Sequence, residues 1–220
     1  MSKNILSVIS RLIFPPKCIV CGELLYESEN EPLCNECRKR ISFIESRPKS
    51  DGQRLQTVSA VSYLPPIRNT LVSVKSHEST YKIKGLCLLA AQAARTSYKS
   101  SSFDLIAVVP SSEKSVRRVG FDRMDTYGRA LSRELKIKYD KNTIKKIRET
   151  KKQHTLSAKE RLTAQKGAFS ASPTVRGKRV LLFDDIVTTG ATLNECAAAL
   201  KAAGAADVRC LTVAKTPQKG

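Results

Sequence analysis

Apolar positions along this chain fall into short continuous runs and longer spaced patterns. Val180–Leu181–Leu182–Phe183 is a continuous run, as is the core of Asp104–Leu105–Ile106–Ala107–Val108–Val109–Pro110, and Val208–Ala214 reads the same way. Such runs suit strands buried on both faces of a parallel sheet covered by helices. A further strand is predicted near Thr57–Tyr63, before the turn Leu64–Pro65–Pro66. Helical spacing follows at Tyr81 to about Tyr98, where Ile83, Leu86, Cys87, Ala90 and Ala94 share a face. It recurs from about Asp122 to Leu135, with Met124, Tyr127 and Leu131 inward, and after Thr192, with Leu193, Cys196, Ala197 and Leu200 inward and Gly204 as a stop. Strands alternating with helices from 104 to 214 predict βαβ units and a parallel α/β sheet. Residues 4–16 form an amphipathic pattern, with Ile5, Ile9, Leu12 and Ile13 on one side, ended by Pro15–Pro16.

The polar residues between these patterns carry the candidate chemistry. Asp184 and Asp185 stand where the Val180–Phe183 strand is expected to end, and Thr188–Thr189–Gly190–Ala191–Thr192 leads into the next helix. A turn of small and hydroxyl residues at a helix N-terminus offers free backbone N–H groups and the positive dipole end, which suits a phosphate. The carboxylates would repel that phosphate, so their partners are sugar hydroxyls nearby or Mg²⁺. Phosphate at one end and a diol at the other describe a ribose 5-phosphate; the plainer reading is a Thr-capped helix beside two solvated aspartates. Neither a G-x-x-x-x-G-K-[ST] nor a G-x-G-x-x-G string occurs. After the strand at Val109–Pro110, Ser111 and Ser112 precede Lys114, Arg117 and Arg118, a second place where hydroxyls and cations could meet an anion.

Cysteine adds a second centre. Cys18, Cys21, Cys34 and Cys37 form two C-x-x-C pairs separated by twelve residues. Each pair is a tight turn presenting two sulfurs, and four thiolates in a tetrahedron select zinc ahead of iron. Two disulfides are the competing pairing, at odds with a reducing compartment. With four protein ligands the metal is expected to be structural. Cys87, Cys196 and Cys210 read as small buried hydrophobes. Residues 1–44 are therefore expected to hold the amphipathic helix and zinc module, 45–56 a polar linker, and 57–220 the larger domain. Within that domain, 141–169 is polar, basic and weakly periodic, the signature of a functional loop.

Charge narrows the partners. Lys and Arg number 39 against 20 Asp and Glu, a net charge of +19 spread along the chain, which favours polyanions such as nucleotides, pyrophosphate or nucleic acid. A base-stacking platform is disfavoured, because the chain has no Trp and only 6 Phe and 6 Tyr. No stretch reads as a membrane span or secretory signal, so a cytoplasmic protein is expected.

DDIVTTGAT resembles the 5-phosphoribosyl-1-pyrophosphate (PRPP) signature of type I phosphoribosyltransferases. That resemblance implies Asp184 and Asp185 at the ribose hydroxyls and catalysis, Thr188 through Thr192 round the 5-phosphate, and pyrophosphate on Ser111 and Ser112. It also implies Mg²⁺ with PRPP, and a hood over the ligand from 141–169. Across nearly its whole length the chain resembles the ComF family, a four-cysteine zinc module followed by a type I phosphoribosyltransferase-like domain. The carrying pieces are the C-x-x-C pairs, the Val-Pro strand end, Arg148-x-Thr150-x-x-Gln153 leading to Arg161 and Ala168–Phe169, and the acidic-pair motif. Where that family usually shows R-G-F-N-Q, this chain has Arg118–Val119–Gly120–Phe121–Asp122–Arg123. The resemblance implies a role in natural competence, the uptake of DNA, beside a helicase-like partner. A PRPP-using glycosyltransferase and a non-catalytic single-stranded DNA or nucleotide binder both stay open at this point.

Overall fold

A computed structural model describes residues 15–25, 31–45, 55–76, 79–98, 103–148 and 167–217. Four strands form one parallel sheet: β1 (Thr57–Ser62), β2 (Leu105–Val108), β5 (Arg179–Val187) and β6 (Asp207–Lys215), in the order β1-β6-β5-β2. The helices are α1 (Asn35–Lys39), α2 (Ile67–Ser76), α3 (Thr80–Ser97), α4 (Glu113–Val119), α5 (Arg123–Leu135) and α6 (Ala191–Ala202). A small antiparallel ribbon pairs β3 (Ile144–Lys146) with β4 (Phe169–Ala171).

The continuous apolar runs lie at the sheet centre, as their composition requires. Val180, Leu181, Leu182 and Phe183 are all fully buried. Leu181 and Phe183 join the core formed with α3 and α5, while Val180 and Leu182 join the core under α6. Alternate residues of one strand thus feed two separate cores, as the period of two dictates. Asp104 fixes the entry to the central strand pair, accepting from the backbone N–H of Arg179 at 2.8 Å and from its guanidinium at 3.0 and 3.2 Å.

Both sheet edges are covered, which blunts the aggregation hazard of unpaired strands. On the β1 side, Ile44 N donates to Ala60 O, Ser62 N donates to Ser42 O, and Phe43 bridges Val61. On the β2 side, Ile106 N donates to Lys138 O, and Tyr139 bridges Ile106.

Several elements differ from the sequence expectation. β5 does not stop at the acid pair but continues to Val187, because β6 keeps pairing beside it as far as Lys215. β2 gives out at Val108, opposite Phe183, so from Asp184 onward β5 has a neighbour on one side only. The basic run after Ser112 is helical, as α4, and the Ile67–Ser76 stretch forms α2 around buried Ile67, Leu71 and Val74. Within 141–169, β3 and the first residue of β4 are ordered strand. The expected helix at 4–16 falls almost wholly outside the described residues, as do residues 46–54 of the linker, His77, His154, Gln153 and Arg161.

The cysteine module and the larger domain share one core. Cys18, Ile19, Leu33, Cys37 and Ile41 cluster with the buried residues of α2 and α3. Thr70 Oγ1 donates to Ile19 O, and Ile19 N donates to Pro32 O. Gly85 of α3 lies directly under this contact: a Cβ there would overlap the Ile19 side chain and come within 2.9 Å of Pro32 Cβ.

Candidate functional site

The sheet's carboxyl edge gathers most of the predicted residues. Val109 N donates to Phe183 O at 2.9 Å, and this last bond sets Pro110, Ser111 and Ser112 beside the point where β5 outruns β2. Asp184 and Asp185 lie on that overhanging length of β5, and the Thr188–Gly190 turn begins directly after its end. Open parallel sheets place their ligands at such an edge.

The turn is built to present donors. Gly190 takes a left-handed conformation, φ 78°, which closes the turn at little cost for glycine. It caps α6 without a side chain. Thr189 Oγ1 accepts from Ala191 N at 3.4 Å, and Gly190 O accepts from Asn194 N at 2.9 Å. Thr188 and Thr189 are exposed, and a Cβ built on Gly190 would meet nothing nearer than Val187 Cγ2 at 3.9 Å. Among the described residues, no side chain plugs the turn at Gly190.

The two carboxylates differ. Asp185 is 7% exposed and pairs with Arg123, whose Nη2 lies 3.2 Å from Asp185 Oδ2. Asp184 keeps some contact with solvent, and its Oδ1 accepts from Asp185 N at 2.8 Å. Desolvation by the packed sheet edge pushes the Asp184 carboxyl well above the usual carboxylate range. The Asp185 charge adds to that shift, while the Asp185 N–H and Lys75 offset part of it. Tyr127 lies beneath, fully buried against the Phe183 ring at 5.4 Å between centroids, and burial raises its hydroxyl well above the ordinary value.

Ser111 and Ser112 are partly engaged already. Ser111 Oγ donates to Asp122 Oδ1 at 2.8 Å, and Ser112 Oγ caps α4 by accepting from Ser115 N. Asp122 in turn caps α5, accepting from Met124 N and Asp125 N. Arg148, placed by the sequence in the hood, is exposed just past β3, and among the described residues no hydrogen bond or ion pair joins it to the acid pair.

Two basic residues at this edge escaped sequence reasoning. Lys75, at the end of α2, had no signal beyond its place in a polar stretch. Arg123 had one: it stands at the point where R-G-F-N-Q is replaced.

The second centre is the cysteine cluster. The four Sγ atoms of Cys18, Cys21, Cys34 and Cys37 all lie within 4.8 Å of one another, and those of Cys21 and Cys34 are 3.7 Å apart. A tetrahedron with Zn–S of about 2.3 Å has S···S edges of about 3.8 Å, so the Cys21–Cys34 spacing already matches and the set can close on zinc with shifts of about 1 Å or less. Burial, and then the adjoining sulfurs, push the Cys37 thiol upward, a crowding that a divalent cation relieves. Cys87, Cys196 and Cys210 are fully buried away from this cluster, as their helix and strand patterns predicted.

Comparison with known proteins agrees with both centres. Residues 126–220 match the phosphoribosyl transferase domain model, and residues 9–49 match the double zinc ribbon domain model. The DNA utilization protein YhgH of Escherichia coli K12 is 31% identical over 218 residues, 97% of this chain and 91% of that protein. Competence protein F of Haemophilus influenzae is 28% identical over 207 residues, 91% of this chain and 85% of its own. Among solved structures, the Bacillus subtilis glutamine PRPP amidotransferase is 25% identical with a TM-score of 0.38, over 58% of this chain and 25% of the enzyme, so this chain spans a quarter of its length. The four clustered cysteines lie within the residues that match the double zinc ribbon, which supports a structural zinc at this centre. No described helix is long and apolar enough to cross a membrane.

Proposed function

We propose, from the premise that this chain belongs to the family of competence protein F and the DNA utilization protein YhgH, that its sheet edge binds PRPP or a closely related phosphorylated ribose in the service of DNA uptake or use. One observation carries the reading: a hydroxyl-rich turn open among the described residues, at a helix N-terminus, follows an acid pair of one buried and one partly buried carboxylate on one strand, beside a serine loop. In this reading the Thr188–Thr192 segment takes the 5-phosphate through backbone N–H groups and hydroxyls. Asp184 and Asp185 take the ribose hydroxyls, and Ser111 and Ser112 take the pyrophosphate. Mg²⁺, bound together with the ligand, would supply charge neutralisation to the leaving group. During transfer to an acceptor, positive charge develops on the sugar, and the Asp184 and Asp185 carboxylates would stabilise it. The hood, which includes Arg148, Gln153 and Arg161, is the segment that would exclude water. A helicase-like partner and cytoplasmic placement complete the proposal.

The test is ligand-induced stabilisation. PRPP with Mg²⁺ at about a hundred times its Kd is expected to add about 2.7 kcal/mol, or about 5–10 °C in Tm for a chain this size. Asp185→Asn is expected to remove that shift. No shift for the native chain at millimolar PRPP sinks the proposal. Exposed Lys114, Arg117 and Arg118 on α4 support a separate contact with DNA backbone. Steeply salt-dependent DNA binding that survives in Asp185→Asn would place DNA on this basic surface and not in the sugar site.

A further inference from the structure

The departure at Arg123 has a structural counterpart. Arg123 is the first residue of α5, where the helix dipole disfavours a cation. A local preference broken without packing gain points to a site. Its side chain is 19% exposed and faces Asp185, itself 9% exposed, with Nη2 and Oδ2 3.2 Å apart. The pair is incompletely satisfied. Arg123 Nε, Asp185 Oδ2 and the Tyr127 hydroxyl are buried without a hydrogen-bond partner among the described residues. Asp185 Oδ2 keeps its ion pair with Arg123 Nη2, so the Arg123 Nε–H and the Tyr127 hydroxyl are the groups with no polar partner; each such buried group costs about 1–3 kcal/mol, which a polar ligand oxygen would offset.

The same pair bears on the divalent ion that the family resemblance implies. A cation seated directly on Asp185 would meet the Arg123 guanidinium beside the same oxygen, and Asp184 Oδ1 already accepts from Asp185 N. The acid pair therefore does not fit as a direct divalent-cation site; an ion carried on pyrophosphate oxygens meets no such conflict.

We propose that Arg123 is the resident cation of the sugar site, balancing Asp185 and offering its unpartnered Nε–H to a ligand oxygen, so that a phosphorylated ribose binds without a divalent ion bridging sugar and carboxylates. The proposal rests on the phosphoribose reading above and adds a specificity residue to it. Its chemistry favours a sugar phosphate presenting a hydroxyl or ring oxygen to the guanidinium while Asp185 accepts from a hydroxyl.

The probe is ribose 5-phosphate, which lacks the pyrophosphate that would carry an ion with it. Calorimetric titration of the full zinc-loaded chain compares magnesium-free potassium buffer with magnesium buffer at equal ionic strength. The native chain is expected to bind with affinities within about twofold in the two buffers. Arg123→Gln is expected to weaken binding at least about tenfold in magnesium-free buffer, the scale of one lost charge-assisted contact, whereas Arg123→Lys, which keeps the charge but not the guanidinium fork, recovers only part of it. Thermal melts without ligand check that both variants fold; the comparison of buffers on the native chain needs no variant. Binding that requires magnesium, or an Arg123→Gln chain that binds as tightly as the native one without it, overturns the inference and leaves the phosphoribose reading standing. Absence of binding in both buffers overturns the two together.

Discussion

Consecutive residues of a strand leave opposite faces of the sheet, so Asp184 and Asp185 meet different surroundings although they are neighbours in sequence. Asp185 reaches Arg123 at the start of α5. Among the described residues Asp184 has no ion pair, and desolvation, then the Asp185 charge, holds its carboxyl pKa well above 3.8. A carboxyl raised on folding contributes stability that is complete below its unfolded pKa and is lost as pH climbs through its folded one. Asp184→Asn removes that loss. The variant is expected to match the native chain near pH 4 and to become progressively more stable than it as the pH rises. Melting temperature against pH for the two chains checks this, and a constant offset between them would refute it. The adjacent acids were legible as a pair from sequence, but their unequal roles were not. The difference comes from Arg123, which local sequence marks only as a departure from a family pattern.

At the scale of elements, the strand–turn–helix from Arg179 to Ala202 was read correctly in kind, because an apolar run, a glycine turn and a spaced apolar face are short-range signals. Its length was misjudged: β5 extends through both aspartates because β6 pairs with them, a fact belonging to another strand. Helices α2 and α4 were missed for a similar reason. Ile67, Leu71 and Val74 are buried by contact with the cysteine module and α3, and α4 buries no residue at all. A tight junction between elements lies at Gly85 on α3, beneath Ile19. Gly→Ala in a helix interior ordinarily gains about 1 kcal/mol, but overpacking a dense contact costs about 1–3 kcal/mol. Gly85→Val combines the clash with a β-branched side chain. It is expected to destabilise the chain by at least about 2 kcal/mol and to speed zinc loss, because the side chain it strikes adjoins ligand Cys18. Chemical denaturation together with zinc release to a chromogenic chelator measures both effects; an unchanged midpoint would show that the ribbon is not seated on α3.

For the whole molecule, the zinc ribbon and the sheet domain draw on one continuous core. Stripping the metal should therefore weaken the entire chain and not the ribbon alone. The expected signature is a single transition lowered by about 10 °C or more, the consequence of several kcal/mol of lost metal-linked folding energy. Two separated transitions, the larger unmoved by chelation, would contradict this. Net charge acts at the same scale: +19 draws polyanions to the surface but does not choose which edge of the sheet receives them.

By itself the sequence determined the four-cysteine cluster, the parallel α/β class and the strand–turn–helix that carries the acid pair. Each is written in residues close together along the chain, where spacing, apolar runs and glycine conformations act over a few positions. Tertiary structure decided what lies across from them. It brought Arg123 into contact with Asp185, set Lys75 near enough to act on the Asp184 carboxyl, and seated the cysteine module on Gly85. Those pairings are set by strand order and helix packing, which bring distant residues together through burial that no local pattern encodes.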